Sequence, residues 1–285
     1  MKLFPSLKNR LKKFEVENKI IDRDTRIVSM GSCFATHISR YLIDNKFNYL
    51  LCEPIRSKIV TSARWDFTYN TASMRQIFEY SFDPDWEVKE RWWDHSNTQV
   101  QDPYRRGVVY SRKDAKELFE RHRKKSRQAL EEAEVIILTI GLAETWRSKK
   151  DGATFFQVPP KRILDLNKHT FYIQSAEDVK EDLVQIYRLL RSYNSKVKLV
   201  VTVSPVPLMG TFREDVDVVT ANSASKSILR AGVDGFFRES DAYYFPSYEI
   251  AQEIPDRWRE DDGRHLKWEV IDSIMEVFIR NWTSA

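Results

Sequence analysis

Two short runs of mainly apolar residues constrain the fold of this chain most strongly. They are Val135–Ile140 and Lys198–Val203, and β-branched residues dominate both. An apolar run of this length is typical of a strand that is buried on both faces. Segments with helical periodicity follow the two runs, at about 177–193 and 221–231. Strands and helices that alternate in this way predict an α/β fold, with a parallel sheet and helices on its faces.

The remaining segments extend this pattern over the whole chain. In chain order we predict a strand at 26–30, a helix at 35–45, an edge strand at 47–52, helices at 70–80 and 111–132, a hairpin at 154–174, a short strand at 243–248 and a helix at 266–282. Residues 83–110 are rich in Trp, Asp and Arg without a clear period, which indicates an insertion over one edge of the sheet. We therefore expect one domain over residues 1–285, with residues 1–23 as an N-terminal arm that docks on the domain or, less commonly, lies on a membrane surface.

The charge balance excludes some classes of partner. The chain carries 46 basic and 42 acidic residues, interspersed, for a net charge of +4. So small an excess does not indicate a nucleic-acid-binding protein, and the basic run at 121–125 is typical of a solvated helix face. No apolar run reaches the length of a membrane span. The expected partner is a small molecule or a carbohydrate, and the oligomeric state is left open.

Cysteine and histidine usage bears on compartment and cofactors. Cys33 and Cys52 are the two cysteines of a 285-residue chain, which does not resemble a disulfide-stapled secreted protein. We predict free thiols and a cytoplasmic location. No cluster of His, Cys, Asp and Glu has the spacing of metal ligands, so we predict no metal and no bound cofactor.

A candidate nucleophile lies where the first predicted strand passes into the first helix. Gly31, Ser32 and Cys33 follow the apolar run at 27–30. The first N–H groups of a helix lack backbone partners and favour negative charge. A thiol at this position is expected to have a lowered pKa, and an oxyanion formed beside it would find hydrogen-bond donors.

Two further segments follow the buried strands, and a third precedes the last helix. Residues 141–146 follow the first buried run and residues 204–207 follow the second. The carboxyl ends of parallel strands meet at one edge of the sheet, where ligands bind in open α/β folds. Near the C-terminus, Asp262 and His265 form an Asp-x-x-His unit, in which the carboxylate can orient the imidazole as a general base. The alternative for this pair is a surface turn that caps the last helix.

The chain resembles the GSCFA-domain family, which is grouped with the SGNH/GDSL hydrolases. The segments that carry the resemblance are Gly31-Ser32-Cys33-Phe34-Ala35, Tyr69-Asn70-Thr71, 141–146, 203–208, Ala221-Asn222-Ser223-x-Ser225-Lys226 and 262–265. The resemblance covers about 26–279. It implies a three-layer α/β/α, flavodoxin-like fold and an esterase or acyltransferase site.

The superfamily motif can be carried over residue by residue. Its Gly-Asp-Ser elbow, laid on residues 31–33, puts the nucleophilic Ser on Cys33 and the Asp on Ser32. Cys33 is therefore the first candidate nucleophile and Ser32 the second, while a free cysteine is also often merely a buried packing residue. Asp262 and His265 take the roles of orienting carboxylate and base.

The oxyanion donors depart from the superfamily pattern. The superfamily has an Asn in a Gly-x-Asn segment, and the corresponding residues 141–143 are Gly-Leu-Ala. Asn70, Thr145 or the backbone of Gly141 are the candidate substitutes, although Asn70 also fits a helix cap. Ser204 is expected to line one wall of the crevice, and Asn222 is a candidate for binding substrate hydroxyls.

These features together predict an SGNH-type enzyme that works through a covalent acyl-enzyme. The predicted activity is acyl-ester hydrolysis or O-acyl transfer, on an acylated glycan or from an acyl-thioester donor such as an acyl-CoA. The alternative is an inactive SGNH scaffold that binds a glycan or a partner. Trp92 and Trp93 are either a sugar-stacking platform or, more commonly for such residues, the small core of the insertion.

Overall fold

The computed structural model of the chain describes residues 14, 18–53, 60–253 and 259–284. In chain order its elements are β1 (Ile27–Gly31), α1 (Cys33–Asp44), α2 (Thr71–Phe82), β2 (Trp93–Asp94), β3 (Gln99–Gln101), β4 (Val109–Ser111), α3 (Ala115–Glu132), β5 (Val135–Ile140), β6 (Glu144–Ser148), β7 (Thr154–Phe155), β8 (His169–Ile173), α4 (Ala176–Tyr193), β9 (Lys198–Val203), α5 (Val218–Phe237), β10 (Tyr243–Tyr244), α6 (Ser247–Glu253) and α7 (Trp268–Trp282).

The central sheet has the order β1-β5-β9-β10, and all three of its pairings are parallel. In the register of the sheet, Gly31 lies opposite Thr139, and Ile140 lies opposite Val203. Every residue of β5 is buried, because it has a strand on each side and helices on both faces. The two apolar runs are thus β5 and β9, at the predicted bounds.

Alternate side chains of the sheet enter two separate cores. One core combines Ile136, Leu138 and Val201 with apolar side chains of α2, α3, α4 and α5. The other combines Val135 and Ile137 with side chains of α1, α6 and α7. Helices therefore cover both faces of the parallel sheet, and the predicted three-layer α/β/α fold is confirmed.

Side-chain caps explain where two of the helices begin. Asn70 Oδ1 accepts the N–H of Ser73 at 2.8 Å and opens α2, as the sequence predicts. Asp217 accepts the N–H groups of Val219 and Thr220, so α5 begins three residues earlier than its apolar pattern indicates.

The predicted edge strand at 47–52 is wrong. A single bridge joins Tyr49 to Ile27, and the Cys52 N–H then donates to the Ser62 carbonyl at 2.7 Å. The chain leaves the sheet edge because it bonds to a neighbouring loop instead. The strand predicted at 243–248 is also shorter in the structure, where β10 ends before Pro246. The Pro246 carbonyl accepts the N–H of Ile250 in α6 and is therefore not available to the sheet.

Two small antiparallel sheets flank the central one. The first of them lies within residues 83–111 and has the strand order β2-β3-β4. The sequence shows no strand pattern in this segment. Trp93 is buried there, and the Arg91 guanidinium lies 4.0 Å from the Trp92 ring centroid. Trp92 is partly buried and packs against the buried cluster that contains Val100 and Tyr110, so both tryptophans pack within the insertion, as the second interpretation predicts.

The second antiparallel sheet has the order β7-β6-β8. The sequence predicts a hairpin between β7 and β8, but both strands pair with β6 instead. This sheet extends directly from the end of β5 and therefore stands beside the carboxyl edge of the central sheet.

The described part of the N-terminal arm docks on the C-terminal helix. The Asn18 N–H donates to the Asn281 carbonyl at 3.2 Å, and Ile21 forms a parallel bridge with Thr283. The lysine-rich residues 1–13 lie outside the described residues. Across the described ranges, no helix is both long enough and apolar enough to cross a membrane.

Candidate active site

The turn between β1 and α1 requires a glycine. Gly31 has φ of 150°, and a Cβ on it would lie 2.3 Å from the Thr139 carbonyl oxygen. No real Cβ contact is that short, so any side chain would push β1 away from β5. The Ser32 N–H continues the sheet by donating to Thr139 O at 3.0 Å, and the helix begins at the next residue.

Ser32 and Cys33 face different neighbours after this turn. Ser32 is buried beside Gly141, and its Oγ has no hydrogen-bond partner within the described ranges. A Cβ on Gly141 would lie 3.1 Å from Ser32 Cβ, so glycine leaves the room that Ser32 occupies. Cys33 is partly exposed and is the first residue of α1.

The predicted lowering of the Cys33 pKa is wrong. Burial raises the pKa of the Cys33 thiol, and this effect exceeds the opposing charges of Arg264 and Lys226 and the N–H groups of Phe34 and Cys33 itself. The helix terminus acts in the expected direction but is outweighed by desolvation. The thiol is therefore protonated at neutral pH, and its activation requires a base.

Asp262 and His265 form the predicted pair on the turn before α7. Asp262 Oδ1 accepts the N–H groups of Arg264 and His265 at 2.8 and 2.9 Å, and Oδ2 accepts the Nδ1–H of His265. These hydrogen bonds lower the pKa of Asp262 to about 2. The bond from the Arg264 N–H has the largest effect, and the bonds from the His265 ring and N–H come next. With Nδ1 held by a carboxylate, the Nε2 lone pair of a neutral His265 is left as a proton acceptor.

One cavity joins the two ends of the chain. Ser32, Cys33, Arg264 and His265 all line it, and its volume is about 640 Å³, within the range of small-molecule sites. Its other walls come from Arg106 and from residues within 67–70, 141–146, 155–158 and 204–212. The predicted convergence of the elbow, the strand ends and the Asp-x-x-His turn is therefore present in the structure.

The backbone of Gly141 is not available as an oxyanion donor. The N–H groups of Gly141 and Leu142 both donate to the Tyr69 carbonyl, at 2.7 and 3.1 Å, and the Ala143 N–H donates to Ser225 Oγ at 2.8 Å. The loop after β5 is thus a structural wall, and the expectation for Gly141 is corrected.

Asn70 and Thr145 both line the cavity but differ in what they can donate. Asn70 Oδ1 accepts the Ser73 N–H at the start of α2. The NH₂ group on the other side of the same amide takes no part in that cap. Thr145 Oγ1 donates to the Tyr172 carbonyl at 3.3 Å. Asn70 is therefore the better candidate side-chain donor of the two.

Ser204 lines the cavity as predicted, whereas Asn222 does not. The Ser204 hydroxyl accepts the Val206 N–H at 3.3 Å and stiffens the wall after β9. Asn222 Oδ1 accepts the Leu208 N–H at 3.1 Å and holds the same wall from behind. The expected role of Asn222 in binding substrate hydroxyls is therefore replaced by a structural one.

Sequence reasoning missed the importance of Lys226. This side chain is fully buried under the cavity floor, and its Nζ donates to the carbonyls of Gly141, Ser204 and Val206 at 2.7, 2.7 and 2.9 Å. Burial lowers the pKa of Lys226 to about 7. Its three bonds tie together the loops after β5 and β9. The available signal was a lysine within the apolar stripe of α5, three residues before Leu229.

His37 has a packing role. Its ring packs edge-on against Trp268 with centroids 5.3 Å apart, and it does not line the cavity. Burial, with the nearby charges of Arg40 and His265, lowers the pKa of His37 to about 4. Over the described residues, no group of three or more His, Cys, Asp and Glu side chains is placed to hold a metal ion.

A model of the GSCFA family matches residues 26–278 of this sequence. The chain belongs to the GSCFA family. The match spans the elbow, the cavity walls and the Asp-x-x-His turn, so every part of the site described above lies inside the family's domain.

Comparison of this GSCFA-family chain with solved structures finds distant likenesses. A candidate GDSL-like lipase from Parabacteroides merdae is 15% identical, with 92% of this chain and 98% of that chain covered and a TM-score of 0.41. A carbohydrate esterase family 3 protein from Talaromyces cellulolyticus is 8% identical, with 89% and 94% covered and a TM-score of 0.37. TM-scores this low carry no conclusion about chemistry. Curated protein sequences show no significant match.

Proposed function

We propose that this GSCFA-family chain is an SGNH-type acyl-ester hydrolase or O-acyltransferase with Cys33 as nucleophile. The observation that carries the proposal is the shared cavity, which the Cys33 thiol and the Asp262-oriented His265 ring both line. A nucleophile, a base and an orienting carboxylate are the parts that acyl transfer through a covalent intermediate requires.

The proton moves through His265 in this proposal. Cys33 begins as a neutral thiol because burial raises its pKa. His265 takes that proton on Nε2 as the sulfur attacks the acyl carbonyl, and Asp262 stabilises the resulting imidazolium. His265 then gives the proton to the leaving group, and a new thioester joins the acyl group to Cys33.

The oxyanion is assigned to the start of α1 and to Asn70. The Cys33 and Phe34 N–H groups lie at the N-terminus of α1 and lower the pKa of the Cys33 thiol, so they are the candidate backbone donors. The NH₂ group of Asn70 is the candidate third donor, because Oδ1 already accepts the Ser73 N–H. Loss of one such donor costs about 2.7–4 kcal/mol in the transition state.

The donor and the acceptor follow from the chemistry of a cysteine nucleophile. Exchange between a thioester donor and the Cys33 thioester is nearly balanced in free energy, which favours an acyl-CoA-type donor. Water or a carbohydrate hydroxyl would then resolve the acyl-enzyme. The carbohydrate acceptor rests on the family resemblance, since Trp92 and Trp93 pack within the insertion and do not line the cavity.

A second candidate is a binding module that holds a ligand without turnover. The observation that favours it is the loop after β5, whose three N–H groups are all occupied. Such a protein would bind in the same cavity but form no covalent intermediate.

Intact-mass spectrometry after incubation with a panel of acyl-CoAs and activated esters separates the two functions. The enzyme gains the mass of the acyl group, peptide mapping places that mass on Cys33, and Cys33→Ser and His265→Ala lose it or form it far more slowly. Cys52→Ser is the matched control, because Cys52 is also partly buried but does not line the cavity. An acyl group on Ser32, removed by Ser32→Ala and kept by Cys33→Ser, would reverse the assignment of the nucleophile.

A further inference from the structure

Two chemically different groups of residues line the cavity. One group is apolar and largely aromatic, and the second antiparallel sheet supplies much of it. The residues are Trp146, Phe155, Phe156, Val158, Phe171 and Phe212. Phe212 packs with this group, with its ring centroid 5.1 Å from that of Trp146 and 5.8 Å from that of Phe171. A wall of this kind favours an apolar group.

The second group is cationic. Arg264 precedes His265, lines the cavity and lies within electrostatic range of Cys33 and Tyr69. In the described part of the chain its guanidinium makes no hydrogen bond or ion pair, and its buried Nε has no acceptor. A partly buried guanidinium without an acceptor is costly, and a carboxylate or phosphate would satisfy it with two parallel hydrogen bonds.

Arg106 adds a second positive charge to this group. It is exposed, its guanidinium lies 5.0 Å from the Phe67 ring centroid, and its charge lowers the pKa of the Tyr69 hydroxyl against the effect of burial. Of the described residues that line the cavity, Glu144 alone carries a carboxyl group, and that group accepts from Thr211 at 2.9 Å. The charge beside Cys33 is therefore positive and is not neutralised by a lining carboxylate.

We infer that the substrate of this site joins a bulky apolar acyl group to an anionic leaving group. The inference rests on the proposed function, since it takes Cys33 as the attacking atom. The acyl group contacts the aromatic wall, and a phosphate or carboxylate on the leaving group contacts Arg264 and Arg106. The Cys33 sulfur forms the new bond to the acyl carbon, and the bond from that carbon to the leaving thiol or alcohol breaks. The Cys33 proton passes through His265 to the departing atom.

The charge requirement is tested with three decanoyl thioesters that differ in the leaving thiol. The thiols are coenzyme A, which carries phosphates, 3-mercaptopropionate, which carries a carboxylate, and neutral N-acetylcysteamine. We expect kcat/KM for acylation to be at least tenfold higher with an anionic thioester than with the neutral one. Preference for the first or the second anionic ester identifies the anion as phosphate or carboxylate.

Variants connect that preference to the arginines. Arg264→Gln and Arg106→Gln should each lower the anionic-to-neutral ratio of kcat/KM about tenfold, since each removes charge-assisted hydrogen bonds to the anion. Arg238→Gln is the matched control: Arg238 pairs with Asp234 at the far end of α5 and does not line the cavity. The ratio corrects for any general loss of activity that a change next to His265 causes.

The acyl end is tested by comparing decanoyl with acetyl thioesters of the same thiol. We expect the decanoyl ester to be preferred, and Phe212→Ala to reduce that preference at least tenfold because part of the apolar wall is lost. Equal acylation by anionic and neutral esters, or equal acylation by acetyl and decanoyl esters, overturns the inference and leaves the proposed enzyme intact. Absence of an acyl-enzyme with every ester overturns both.

Discussion

The glycine at the elbow permits a quantitative test of the turn that positions Cys33. In Gly31→Ala, the added Cβ would lie 2.3 Å from the carbonyl oxygen of Thr139 and 2.7 Å from its Cβ. Neither partner is the end of a flexible side chain, so strands β1 and β5 must separate locally to accommodate the methyl group.

The expected cost has two parts. A φ of 150° is unfavourable for alanine by about 1–3 kcal/mol, and a steric overlap in a packed core adds about 1–3 kcal/mol. We expect Gly31→Ala to lower the free energy of unfolding by about 3–5 kcal/mol. Gly152→Ala separates the two parts, because Gly152 also has a positive φ, of 74°, but a Cβ there meets no atom within 4 Å. That control should cost about 1–2 kcal/mol.

Equilibrium unfolding in urea, followed by tryptophan fluorescence and circular dichroism, measures both variants against the parent protein. If Gly31→Ala were no less stable than Gly152→Ala, the overlap with Thr139 would be relieved without cost. The close approach of β1 to β5 would then not be what requires glycine at this position.

Three further predictions concern the site and the insertion. Asp262→Asn should slow formation of the acyl-enzyme by on the order of 10³–10⁴, because an amide does not hold the His265 tautomer or stabilise its imidazolium; a loss below tenfold in single-turnover kinetics would contradict this role. Alkylation of Cys33 by iodoacetamide should be slow at pH 7 and rise with pH, because burial raises the thiol pKa; a fast rate that is constant from pH 6 to 9 would indicate a preformed thiolate. Asp102→Ala should destabilise the protein by about 3–5 kcal/mol in urea unfolding, because it leaves the buried Arg105 without its ion-pair partner, and an effect below about 1 kcal/mol would argue against that pair.

Continuous apolar patterns predicted their elements well. Strands β5 and β9 have the predicted bounds because burial on both faces leaves an uninterrupted apolar run. Strand β6 was missed because its residues, Glu144–Ser148, mix polar and aromatic side chains and show no such run. This segment becomes a strand through its pairing with the nearby Thr154–Phe155 and the more distant His169–Ile173, and the longer of these pairings leaves no local signal.

The site was predictable where it depends on local geometry. Asp262 and His265 are three residues apart on one turn, so their hydrogen bond needs no other part of the chain. The same holds for Asn70 as a cap of α2. Lys226 was not predictable in this way, because its three acceptors belong to loops that follow two different strands.

The sequence by itself determined the alternation of strands and helices, the glycine turn before Cys33 and the carboxylate–imidazole pair. Each of these depends on residues that are neighbours along the chain. Only the tertiary structure decided that the thiol pKa rises, that the Gly141 N–H donates to the Tyr69 carbonyl, and that two arginines and several aromatic side chains line one cavity. Desolvation and hydrogen-bond partners are set by segments far apart in sequence, and these segments meet only when the sheet brings its strand ends to one edge.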